Sequence, residues 1–320
     1  MVCREPVTSR EAILTSSDRG RGVRTLLRAA NGLGSRAAEA LWASSSAWAG
    51  RLPHEPPKRW TSSGRERVLV IAAHADDEAM GCAGTVIRHR AAGDLVHVAI
   101  VTDGARSRAH GIDGPSMRLI REKEAKRAAA QMGVPCDWIG LREGDWSDEE
   151  AKDAIRQRLR EVAPTIIYAP SNIDYQTEHR RLACTIAALL ADRAFAPEMR
   201  IYAVQVPLTP LLVNLVHDVS DLEPSIASVW RCYATQLESV SRTFRLRRYA
   251  ARFYGAATQV EAFCALPAEL YSSLHRRTPR RFRPLYIRAW LDPLAVIVGS
   301  VERLTWRKMA WKRAGMLDVR

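Results

Sequence analysis

The peptide AAHADDEAMGCAG, residues 72–84, places His74, Asp76, Asp77 and Glu78 within one short stretch directly after an apolar run. Three adjacent carboxylates repel one another, raising their pKa values and costing stability unless a cation compensates. A divalent metal is the simplest such cation, and His and Asp offer the nitrogen and oxygen donors that Zn²⁺ accepts. A carboxylate left off the metal could then take a proton from a metal-bound water. The alternative is an acidic first turn of a solvated helix, which the helix macrodipole favours.

A catalytic zinc takes three protein ligands and keeps a fourth position for water. The peptide NIDYQTEHRRL, residues 172–182, supplies a further candidate in His179, which opens a helix between Glu178 and Arg180. Taken alone, His179 could equally be a surface histidine at a helix start. The other histidines (His54, His89, His97, His110, His217 and His275) lack both the acidic company and the strand-end context.

Such residues converge only if the chain folds so as to bring 74–78 and 172–179 to one edge. Val68–Ala73 is a short, β-branched apolar run of the kind a buried parallel strand shows. A helix follows over 78–92, a strand over 96–102, and a Gly-rich loop, DGARSRAHGIDGPS, leads to a charged helix over 117–132. Further strands are predicted at 137–140 and 165–169, with helices over 148–161 and 179–192. Strands alternating with helices imply right-handed βαβ units and a mostly parallel sheet, a Rossmann-like α/β fold flanked by helices. Both candidate peptides then follow strands, where an open α/β sheet keeps its ligand crevice. Beyond 200 the runs IYAVQV and LLVNLVHDV read as strands, and 224–240 and 243–254 as helices.

Four segments together resemble the zinc-dependent GlcNAc de-N-acetylases of the PIG-L/LmbE-like type over roughly residues 67–265. The AHPDDE-type motif stands as Ala73-His74-Ala75-Asp76-Asp77-Glu78, followed by Gly81-Cys82-Ala83-Gly84-Thr85. An RxxE segment stands as Arg121-Glu122-Lys123-Glu124, running on through 128–134. The HPDH-type motif corresponds to Gln176-Thr177-Glu178-His179, with Arg180 after it. Ala251-Arg252-Phe253-Tyr254-Gly255 and Val260-Glu261-Ala262-Phe263 are similar to the closing RG…AEaF segment.

The resemblance implies a hydrolase that removes the N-acetyl group from an N-acetylglucosamine-type sugar conjugate. It makes His74, Asp77 and His179 the metal ligands and Asp76 the general base that activates zinc-bound water. It places Arg121 and Gln176 against the substrate and Glu78 in support of the site. Zn²⁺ is the implied cofactor, with Fe²⁺ the alternative for a His₂Asp set. Two positions depart from the pattern. Ala75 replaces a proline, which removes no functional group. Gln176 replaces a histidine, and its amide can donate a hydrogen bond to an oxyanion but cannot carry a proton. Tyr175 is then a candidate for the acid role, and the alternative readings are a non-catalytic, membrane- or polyanion-binding member of the fold, or a hydrolase of another amide.

The 320-residue chain carries 48 Lys+Arg against 35 Asp+Glu, a net charge of +13. That surplus is uneven: residues 1–66 hold 11 basic and 6 acidic side chains, residues 271–320 hold 12 and 3, and residues 67–270 hold 25 and 26. The expected organisation is therefore a basic N-terminal extension and linker (1–66), a neutral deacetylase domain (67–270) and a basic, Trp/Arg-rich C-terminal extension (271–320), both extensions helical. Trp42, Trp48, Trp290, Trp306 and Trp311 among arginines and lysines suit an anionic membrane surface; the alternative is helices packed on the core with a solvated basic face. Nucleic acid is disfavoured as a partner because no recognised binding fold or base-stacking motif is present. Six scattered cysteines, without a CxxC pair, suggest reduced thiols. The first residues show charge and no apolar core of a secretory signal, so a cytoplasmic location, peripheral to the inner membrane, is expected.

Overall fold

The run Arg67–Ala72 forms β2, whose residues are buried from Val68 onward because helices cover both faces of the sheet. Alternation along the strand divides its side chains. Leu69 and Ile71 enter one core layer, and Val68, Val70 and Ala72 the other. The computed structural model describes residues 56–277, apart from 108, 173, 175, 205–207, 209–211, 237–242, 244–246 and 249, together with 40 and 44. Most of both extensions and Tyr175 lie outside the described residues, as does part of the 243–254 helix, while residues 271–277 of the C-terminal extension are described and helical.

In chain order the elements are β1 (Lys58–Arg59), β2, α1 (Asp77–Ala92), β3 (Leu95–Thr102), α2 (Gly114–Met132), β4 (Cys136–Leu141) and α3 (Asp148–Val162). They continue as β5 (Ile166–Ala169), α4 (Thr177–Leu190), β6 (Glu198–Ile201), β7 (Leu215–Asp218), α5 (Glu223–Arg231), β8 (Val260–Pro267) and α6 (Ala268–Arg277). The sheet runs β1-β7-β8-β6-β5-β2-β3-β4. Its β6-β5-β2-β3-β4 part is parallel, and β8 pairs antiparallel with both β6 and β7. From β2 the chain moves outward to β3 and β4, then returns to β5 on the other side of β2. That reversal is a topological switch point, where neighbouring strand ends open a crevice. The loop after β2, which carries His74, and the first turn of α4 after β5, which carries His179, flank it.

The Rossmann-like parallel core agrees with the sequence reading, while its second half differs. IYAVQV supplies only the end of β6, which begins earlier at Glu198, and LLVNLVHDV shortens to β7. The helix expected over 224–240 ends at Arg231, followed by a 3₁₀ turn at Ala234–Gln236. The Val260–Phe263 segment belongs to the antiparallel strand β8, and the run read as a linker pairs its Lys58–Arg59 with β7.

Helix α1 is kinked at Cys82 (φ −154°, ψ 28°). Beyond the kink the Glu261 carboxylate accepts hydrogen bonds from Gly84 N–H (2.9 Å), Thr85 N–H (2.8 Å) and Thr85 Oγ1 (2.6 Å), with Arg247 Nη1 2.8 Å away. It acts as an N-cap for the restarted helix. His217 Nδ1 meets the same Thr85 hydroxyl at 2.8 Å, and Trp60 stacks on its ring at 4.3 Å between centroids.

Burial pushes His217 down to about 4 from the ordinary histidine value of 6.5. Between those values the unfolded chain binds the proton more tightly, so stability is complete above about pH 6.5 and falls as the pH drops toward 4. The loss at pH 5 is about 2 kcal/mol. Denaturant titrations at pH 7 and pH 5 are expected to show that much more loss in the wild type than in His217→Gln. Equal losses would mean that His217 titrates normally in the folded state.

Candidate active site

The site begins where β2 stops. Ala73 O accepts hydrogen bonds from Thr102 N–H (2.9 Å) and Thr102 Oγ1 (2.7 Å), so the end of β3 holds the turn that follows β2. The turn passes through Asp76 at φ 122°, a left-handed region that is costly for a residue with a Cβ. Three contacts hold it there. Glu78 Oε2 accepts from Asp76 N–H (3.2 Å), and Arg121 on α2 donates through Nη2 to both Ala75 O and Asp76 Oδ1, the latter at 3.2 Å. Tyr233 in turn donates its hydroxyl to Glu78 Oε1.

Helix α1 starts at Asp77, whose Oδ2 accepts from His74 N–H at 2.8 Å. Across the switch point, the first turn of α4 brings His179 to the same carboxylate oxygen. His74 Nδ1 to Asp77 Oδ2 is 3.5 Å, His179 Nε2 to Asp77 Oδ2 is 3.1 Å, and the two ring nitrogens are 3.2 Å apart. Donors about 2.0–2.1 Å from a tetrahedral zinc lie about 3.3–3.4 Å from each other. The triangle therefore has the size of three corners of such a coordination shell. Among the described residues it is the one group of three such side chains able to hold a metal ion.

Electrostatics agree with the geometry. Burial opposes charging His74, but the Asp77 and Glu143 carboxylates outweigh it and push the imidazole up to about 9. Burial likewise opposes charge on His179, and Asp77 and Asp174 raise it well above the ordinary value. Desolvation works against an ionised Asp77, yet the two histidines hold its carboxyl well below the usual range. The acids thus demand positive charge between the rings. Two imidazoles whose nitrogens face each other at 3.2 Å cannot both meet that demand by protonation without repelling each other. A divalent cation meets it with both rings neutral, so the donor set fits a metal.

Asp76 stands apart from this triangle, committed to Arg121. Burial raises its carboxyl to about 7, against the pull of the Arg121 guanidinium. Arg121 could instead have paired with Glu124 one turn on. In the fold Glu124 accepts from Thr235 N–H (3.0 Å) and Oγ1 (2.7 Å), and Arg121 turns to the Asp76 loop. Gln176 caps α4 through Oε1, which accepts from Glu178 N–H at 2.6 Å, while its Nε2 approaches His74 Nε2 at 3.4 Å. His74, Asp76, Asp77, Arg121, Gln176 and His179 therefore meet at one site.

Two carboxylates join them that the sequence reading did not single out. Asp174 Oδ2 lies 2.9 Å from His179 Nδ1, and Glu143 Oε1 lies 3.3 Å from His74 Nε2. Each faces the ring nitrogen remote from the triangle, where a carboxylate fixes tautomer and orientation. Asp174 stands within the peptide quoted for His179, five residues earlier, and so had a local signal. Glu143 sits in the β4–α3 loop, and only the folding of β4 beside β3 brings it to His74. Asp174→Asn is expected to weaken zinc binding by about 10–100-fold. Competition against a chromophoric chelator checks this, and an unchanged affinity would show that Asp174 does not orient the ligand.

Residues 69–190 match the family model described as PIG-L, GlcNAc-PI de-N-acetylase, a stretch that holds the motifs read at 73–85, 121–134 and 176–180 and stops short of the one read at 251–263. An N,N'-diacetylchitobiose deacetylase from Pyrococcus horikoshii is similar in structure, with a TM-score of 0.55 and 21% identity over 64% of this chain and 85% of the other. A deacetylase from the biosynthesis pathway of teicoplanin gives 0.52 and 16% over 66% and 98%. The 4-carboxy-2-hydroxymuconate hydratase of Pseudomonas putida gives 0.53 and 19% over 68% and 98%. These likenesses establish the fold, and the fold alone does not assign the reaction.

Proposed function

We propose, with the family match over residues 69–190 as premise, that this protein is a metal-dependent N-deacetylase acting on an N-acetylglucosamine-type sugar conjugate. The observation that carries this reading is the convergence of His74 Nδ1, His179 Nε2 and Asp77 Oδ2 beside an Asp76 carboxylate held near neutrality. His74, Asp77 and His179 would hold Zn²⁺ or Fe²⁺, which when bound supplies Lewis acidity to the acetamide carbonyl.

The chain's own groups supply the rest. Asp76, beside the triangle and held by Arg121, accepts a proton from the attacking water and returns it to the departing amine. The water oxygen bonds to the acetyl carbon, the C–N bond breaks, and acetate and a free amino sugar leave. Gln176, fixed by its capping bond to α4, offers N–H to the oxyanion that develops on the carbonyl. Arg121 keeps Asp76 in its strained turn and limits how far burial can raise its carboxyl. Glu78 and Tyr233 brace the same turn from behind.

The division at 66/67 and 270/271, a cytoplasmic location and docking of the basic ends on an anionic membrane belong to the same proposal, supported by the charge partition. Flotation with anionic vesicles at low and high salt tests the docking. The enzymatic reading is tested by incubating purified protein with a panel of N-acetylglucosamine conjugates and measuring acetate and primary amine. Equal amounts of both are expected from at least one conjugate, and none from any would contradict it.

A further inference from the structure

Helix α6 packs against α4, and its inward face carries Tyr271, Ser272, Leu274 and His275, all of them buried. Ser272 Oγ donates to Ala187 O on α4 at 2.8 Å. The same face also reaches the segment that joins β5 to α4, residues 170–176. Tyr271 donates its hydroxyl to Pro170 O at 2.8 Å, and His275 Nε2 lies 3.0 Å from Ser171 Oγ. His275 Nδ1 is 2.7 Å from Tyr271 O. A carbonyl only accepts, so Nδ1 carries the ring proton and Nε2 takes the hydrogen bond of the Ser171 hydroxyl. The Tyr271 ring stacks on the imidazole at 3.9 Å between centroids and braces it.

From Ser171 a continuous path leads to the metal triangle. Ser171 O accepts from Asp174 N–H at 3.2 Å, and Asp174 Oδ1 accepts from Gln176 N–H at 3.0 Å. The other oxygen, Asp174 Oδ2, lies 2.9 Å from His179 Nδ1. This segment starts beyond the last residue of β5, so the sheet ladder does not hold it. Yet it carries both the carboxylate that orients His179 and the amide of Gln176. Ser171, Tyr271 and His275 are at most 4% exposed, so water does not compete for the bonds that fasten it.

We propose that Ser171, Tyr271 and His275 are positioning residues, through which α6 holds the β5–α4 segment so that Asp174 sets His179 in the metal triangle. An orienting carboxylate works only if its own backbone is fixed, and here Pro170 and Ser171 are the points of fixation. The inference rests on the reading of His74, Asp77 and His179 as metal ligands and adds the elements that keep one of them in place.

The test measures zinc affinity of the full chain by competition with a chromophoric chelator, with no substrate present and at a temperature where circular dichroism shows every variant folded. Tyr271→Phe, Ser171→Ala and His275→Ala are each expected to weaken zinc about tenfold, the low end of what loss of an orienting group gives. His275→Gln, whose amide oxygen can accept from Ser171 in place of Nε2, should bind within about threefold of the wild type. Ser272→Ala, which removes a buried bond from the same helix to α4 and not to the segment, should lower the melting temperature and leave zinc affinity unchanged. In an Asp174→Asn background Tyr271→Phe should cost less than about threefold more, because the path it acts through is already broken. Wild-type affinity in Tyr271→Phe and Ser171→Ala, equal weakening in Ser272→Ala, or full additivity with Asp174→Asn would overturn the inference while the metal reading stands. His275→Gln as weak as His275→Ala would remove His275 from it. A wild-type chain that binds no zinc would overturn the metal reading and this inference together.

Discussion

Asp76→Asn is expected to lower deacetylation by about 10²–10⁴-fold, the range that a general base contributes, while the protein still retains one zinc per chain. Asparagine keeps the shape and the short polar side chain that tolerates the left-handed region, so the turn at φ 122° survives. The backbone bond from residue 76 to Glu78 and the Arg121 bond to Ala75 O do not involve the lost charge. What disappears is the proton acceptor beside the triangle. Turnover within a factor of a few of the wild type would remove Asp76 from the mechanism. Zinc loss in this variant would instead place Asp76 in the ligand set, contrary to its position against Arg121.

His179→Ala is the second large effect. It takes one corner from the donor triangle and leaves Asp77 and Asp174 facing each other across a buried gap without the imidazole between them. Two remaining ligands hold zinc poorly, so less than a tenth of the chains should keep metal after dialysis, with activity lost to the same extent. Removing the partner of buried carboxylates also destabilises the fold, by about 3 kcal/mol. Measuring metal content and a denaturation curve on the same preparation separates the two consequences. Full zinc stoichiometry in a folded His179→Ala protein would show that the metal, if bound, sits elsewhere.

The parallel core was legible because β2, β3 and β5 are continuous apolar runs separated by helices with ordinary stop signals, such as Gly93 and Gly133 at the ends of α1 and α2. The antiparallel half was not. β7 is only Leu215–Asp218, and β8 gains its identity from pairing with both β6 and β7 rather than from a local pattern. The site divides along the same line. His74, Asp76, Asp77 and His179 announce themselves as acids and histidines at strand ends. Glu143 and Tyr233 come from loops or turns whose approach depends on the register of distant elements, so no spacing in the sequence points to them. Arg121 was legible as a site residue, while its work in holding Asp76 required the fold, which gives Glu124 to Thr235.

The central claim is that His74, Asp77 and His179 hold a divalent ion without which the N-acetyl group is not removed. It is tested most directly by following acetate release from an N-acetylglucosamine conjugate with zinc-loaded protein, with the same protein stripped by a chelator, and after zinc is returned. The account predicts acetate and amine in equal amounts from the loaded protein, loss on stripping and recovery on return. Acetate release that continues unchanged in protein shown to be metal-free would contradict it.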